Sequence, residues 1–108
     1  MTTLPYRAWT ASGDSYDIDF PLHDETVDAG RVGEMVSALL DAIERDIAKV
    51  GETSNGDVLQ AFAMAMAVRA RMIRAPQPVV DKLSGDLLRA ALDAVAAAGH
   101  SHQKAGRA

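Results

Sequence analysis

This 108-residue chain contains no cysteine. That excludes disulfides, thiolate zinc sites and a cysteine nucleophile together. It has no apolar run near the ~20 residues that a membrane-spanning helix requires. The opening MTTLPYRAWT lacks the basic and then apolar regions of a secretory signal. These absences point to a cytoplasmic protein. Phosphate-loop and G-x-S-x-G patterns are missing as well, so Gly13, Gly30, Gly33 and Gly51 carry no nucleotide signature. Nothing argues for an enzyme or a cofactor.

What is present is ordinary for a globular chain: 48% hydrophobic and 24% charged residues, enough for a single core with little surplus. The net charge of −4 is unevenly placed. Residues 1–53 carry eleven acids and four bases, and residues 54–108 carry four acids and seven bases. An acidic front and a mildly basic rear suit complementarity within or between subunits. They do not make the continuous basic face that nucleic acid requires.

The pattern of residues predicts an α+β fold. Tyr16 to Phe20 alternates apolar and acidic, the period of a strand with one covered face. Tyr6 to Ala11 supplies a partner strand, and Ser12-Gly13-Asp14 a turn. A two- or four-residue loop is preferred over a three-residue one, because it would place Trp9 beside Tyr16, Ile18 and Phe20. A two-stranded ribbon alone is marginal and has open edges, so the hairpin must pack on helices, with Asp17 and Asp19 or a second copy guarding its edges.

From about Asp28 the period becomes helical. Val32, Val36, Leu39, Leu40, Ile43, Ile47 and Val50 form one stripe ending at Gly51. Ser54 is the expected cap of a second helix running to about Arg74, with Asp57 in its positive first turn. The short connection predicts that these two long helices form an antiparallel pair. Pro76 and Pro78 separate a shorter C-terminal helical segment, which Gly85 threatens to break in two. Residues 1–99 are expected to form a single α+β domain, and 100–108 an unanchored tail.

The second helix is the most informative segment. From Val58 to Val68 its only polar side chain is Gln60, so nearly every side demands cover. Arg69 falls on its most apolar face, among Val58, Phe62, Ala65, Met66, Met72 and Ile73. A guanidinium there suits a carboxylate on helix 1 (Asp41, Glu44 or Asp46), on another subunit or on a small ligand. The simpler account is a long side chain reaching water near the helix end, where Arg69, Arg71 and Arg74 complement the macrodipole. Phe62, Met64, Met66 and Met72 suit an adaptable groove, but the interleaved alanines favour close helix packing. His100 and His102 lack the further ligands of a metal site. The acids from Asp14 to Asp28 lack calcium-loop spacing.

The leading expectation is a non-catalytic homo-oligomeric interaction protein, most simply a homodimer, open to a further protein partner. A binding protein using Arg69, Phe62, Met66, Met72, Arg71 and Arg74 for an acidic or amphipathic ligand is the alternative. A DNA-associated helical regulator is the third option, and the acidic balance counts against it.

Overall fold

A computed structural model describes residues 2–10 and 12–102. Its order is β1 (Thr3–Trp9), β2 (Asp14–Pro21), α1 (Ala29–Val50), α2 (Asn55–Arg71), α3 (Gln77–Ala96) and β3 (Gly99–His102). The fold is α+β, an N-terminal antiparallel hairpin followed by three helices. By internal contacts the chain divides into two units, Met1–Gly33 with Asp86–Ala108, and Glu34–Gly85. The divisions fall inside α1 and α3. Among the described residues no helix is long and apolar enough to cross a membrane.

The hairpin turn is held by main-chain bonds and by the hydroxyls of Thr10 and Ser12. The Thr10 N–H donates to the Asp14 carbonyl (2.9 Å), and the Gly13 N–H donates to the Thr10 carbonyl (3.1 Å). The Asp14 N–H donates to Thr10 Oγ1 (3.1 Å). Gly13 takes φ +93°, a conformation that costs glycine little because it has no Cβ.

The register corrects the expected position of Trp9. Leu4 pairs with Phe20, Tyr6 with Ile18, Arg7 with Asp17, Ala8 with Tyr16 and Trp9 with Ser15. Trp9 therefore shares the polar face with Arg7, Asp17 and Asp19, and it is exposed. The alternative would bring Trp9 to the apolar face but send Leu4, Tyr6 and Ala8 to the polar one, because a one-residue slip turns every side chain over. Three apolar residues and an Arg7–Asp17 pair outweigh one indole. Tyr6 and Phe20 meet diagonally across the covered face, ring centroids 6.3 Å apart.

A third strand was absent from the expectation. β3 pairs antiparallel with β2, placing Gly99 opposite Asp17, His100 opposite Tyr16 and His102 opposite Asp14. The supposed tail from residue 100 is thus anchored through 102, while 103–108 lie outside the described residues. β2 becomes the central strand, which accounts for the burial of both Ile18 and Ser15.

Among the described residues β1 is an edge strand, and Pro5 blunts its outer edge. The bonds Thr10 N–H to Asp14 and Leu22 N–H to Thr2 (2.9 Å each) show that even-numbered residues of β1 face β2. In an antiparallel ladder the odd positions then point their N–H groups outward. Pro5 sits at one of these and has no N–H to offer, a device that discourages further strand addition.

α1 starts where Asp28 Oδ1 accepts the Arg31 N–H (3.0 Å). It ends at Gly51, φ +118°, whose N–H donates to the Ile47 carbonyl (2.8 Å). Ser54 caps α2 as expected, its Oγ accepting the Asp57 N–H at 3.1 Å. α3 is one unbroken helix of 20 residues, longer than α2 and not the shorter, broken segment expected. Glycine in a helix interior costs about 1 kcal/mol relative to alanine, less than a break would lose in hydrogen bonds and packing.

Within the first unit, Gly33 approaches the sheet: a Cβ there would lie 3.6 Å from Leu4 Cδ1. Ile18 is its buried apolar residue, with Leu4, Tyr6, Ala8, Tyr16 and Phe20 half-buried around the same face. Within the second unit Val80 is buried, and Val36, Ile43, Ile47, Val58, Phe62 and Leu83 are half-buried.

Candidate functional site

The second unit leaves much of its apolar surface bare. Successive residues of an α-helix turn by about 100°, so Leu39 points within about 20° of Val32 and about 40° of Ile43. Those two are half-buried, yet Leu39 is 59% exposed. Val50, on the same stripe, is 74% exposed. One continuous apolar stripe is covered in places and open in others.

α2, like α1, has no buried residue. Val58 and Phe62 are half-buried, whereas Leu59, Met64, Met66 and Val68 are exposed, as are Met72 and Ile73 just beyond the helix. Soluble monomers seldom leave so many large apolar side chains contiguous and in water.

Helical geometry separates the six residues singled out from the sequence. Phe62, Met66, Arg69 and Met72 occupy one arc of about 120°. Arg71 projects about 160° away from Arg69, and Arg74 lies beyond the end of α2. Arg69 is exposed and, among the described residues, makes no ion pair. Its expected intrachain pairing with Asp41, Glu44 or Asp46 is therefore corrected. A flexible four-bond stem lets the guanidinium reach water near the helix end, avoiding the cost of burying it.

The polar face of the sheet holds the strongest side-chain contact. Arg7 Nε donates to Asp17 Oδ1 at 2.6 Å across the β1–β2 ladder, with both side chains more than half exposed. They border a shallow depression of about 250 Å³ lined also by Pro5, Tyr6, Ile18 and Asp19. Its charged groups are that internally neutralised pair and the Asp19 carboxylate on a shallow surface, which makes it a poor ligand site. The Arg7 hydrogen bond holds the Asp17 carboxyl below its ordinary range, and Asp17 raises Arg7 in turn.

A depressed carboxylate pKa stabilises the fold above its unfolded value, about 3.9. That stabilisation is lost as pH falls through the lower folded value. Asp17→Asn is therefore expected to lower the thermal midpoint slightly at neutral pH, the pair being solvent-screened. The gap between variant and parent should close as pH falls below the ordinary carboxylate range and Asp17 of the parent becomes protonated. A gap that stays the same size throughout an acid series of circular dichroism melts would contradict the assignment.

Among the described residues there is no cluster of three side chains able to hold a metal ion. The sequence reasoning missed the most regular surface of α2. Asp57, Ala61, Met64, Val68 and Arg71 follow one another at spacings of four and three residues and are all exposed. The spacing was available as a signal, but an almost wholly apolar helix hides any single stripe within it. Comparison with known proteins adds no template for this surface: no protein-family model, curated protein or solved structure matches the chain.

Proposed function

We propose that this chain is a non-catalytic, cytoplasmic accessory protein that works as a homo-oligomer, most simply a homodimer, open to a further protein partner. The observation that carries the proposal is the uncovered apolar surface of α1 and α2. Leu39, Val50, Leu59, Met64, Met66 and Val68 are all exposed, more large apolar side chains than a soluble monomer ordinarily leaves in water. Apolar burial at roughly 25 cal/mol per Å² provides ample drive for association. The blunted β1 edge favours helix-to-helix contact over an extended sheet.

The second reading is a binding protein for a small acidic or amphipathic ligand. It is favoured by one observation, that Arg69 shares an arc of α2 with Phe62, Met66 and Met72. The two readings separate on one variant measured two ways. If self-association is the function, Arg69→Ala keeps the parent's mass in light scattering, and dodecanoate, an amphipathic carboxylate, shows no saturable binding to the parent by calorimetry. Saturable dodecanoate binding that Arg69→Ala abolishes would transfer the function to the ligand reading.

A further inference from the structure

Resting on the self-association reading, the geometry points to a specific contact: α2 pairs with α2 of a second copy, antiparallel, about a two-fold axis passing beside Met64. The stripe Asp57, Ala61, Met64, Val68, Arg71 occupies an arc of about 80° on α2. That arc is centred about 120° from the half-buried direction of Val58 and Phe62. Met64 is 58% and Val68 60% exposed. The apolar centre is thus bare, while the helix's other side is partly covered.

The charges at the two ends of this stripe select the partner. Asp57 and Arg71 lie seven residues either side of Met64, so each is about 10.5 Å from it along the axis. A two-fold axis through the middle superposes the Asp57 end of one copy on the Arg71 end of the other. The same patch then meets itself in complementary register, as an isologous interface requires. Parallel pairing would set Asp57 against Asp57 and Arg71 against Arg71, a juxtaposition that like-charge repulsion disfavours.

The side chains between the charges fit this contact. Ala61 is small enough to let two backbones approach, and Met64 at the centre packs adaptably against its own copy. Met64 and Val68 are the side chains that lose most water on pairing. An acidic first turn and a basic last turn complement the macrodipole within one chain. Antiparallel pairing uses the same two charges again between chains.

The chain's lack of cysteine makes the test direct. Met64→Cys is expected to form an intermolecular disulfide under mild oxidation, since a residue beside the two-fold meets its own copy within bonding reach. Leu59→Cys, about 140° away around the helix, is expected not to. Asp57→Arg and Arg71→Asp should each weaken self-association roughly tenfold, because the symmetry creates two like-charge pairs per dimer. The double variant, with the charges exchanged, should recover most of that loss while circular dichroism confirms that all variants remain helical. If the parent self-associates but Met64→Cys stays uncrosslinked and charge exchange rescues nothing, this interface is wrong and the self-association reading stands. If the parent is monomeric throughout, both fall.

Discussion

At micromolar concentration the protein is expected to scatter light as a species of about 23 kDa or a higher multiple, two or more chains of 11.5 kDa. The reason lies in the helices. Leu39 lies in the same direction as half-buried Val32 yet stands mostly in water, and α2 has no buried residue. Such surface is supplied with cover when a second copy brings the same need.

Folding should then be linked to assembly. Each tenfold rise in protein concentration is expected to add up to about 1.4 kcal/mol to the apparent stability of a dimer, so the thermal midpoint should climb with concentration. Dilution should lower it and weaken the helical signal at a fixed temperature. A mass of 11.5 kDa together with a midpoint independent of concentration over two or more decades would sink the proposal.

The second large effect concerns the sheet. Ile18→Ala is expected to destabilise the fold by about 3 kcal/mol, in the range seen when a large aliphatic core residue is truncated. Ile18 is 6% exposed on central strand β2, opposite Tyr6 and on the same face as Tyr16 and Phe20. Its loss opens a cavity that two neighbouring strands cannot both close over. In a domain whose total stability is of the order of 5–15 kcal/mol, that is a large fraction. Urea denaturation followed by circular dichroism measures it, with Leu59→Ala as the comparison. Leu59 is exposed, and its truncation is expected to change chain stability by about 0.5 kcal/mol or less. Equal costs at the two positions would show that the sheet is not the core assigned here.

The legibility of the chain varied with the range of the interactions involved. The Ser54 cap, the Gly51 stop and the start of α1 beside Asp28 depend on neighbours within one helical turn, and each stands where the sequence placed it. The hairpin itself was legible from the alternation of Tyr16 to Phe20, but its register was not. Choosing between Trp9 and the set of Leu4, Tyr6 and Ala8 requires summing over two strands at once, and a single bulky residue is a misleading guide to that sum. α3 was expected to be short and broken because Gly85 weakens a helix locally. Hydrogen bonding on both sides of it carries the helix through.

Arg69 and β3 mark the limit of the sequence. An arginine's position on the helical wheel gives its direction at Cβ, whereas its charged end lies several bonds further on and settles wherever water or a carboxylate can be reached. Gly99 to His102 has no strand pattern of its own; its strand exists because β2 offers an unfilled ladder edge. Local periodicity and capping chemistry therefore determined the element types and most of their ends from sequence alone. Register, the third strand and the exposure of Arg69 were decided by tertiary structure, because each depends on groups distant in the chain competing for the same partner or the same cover.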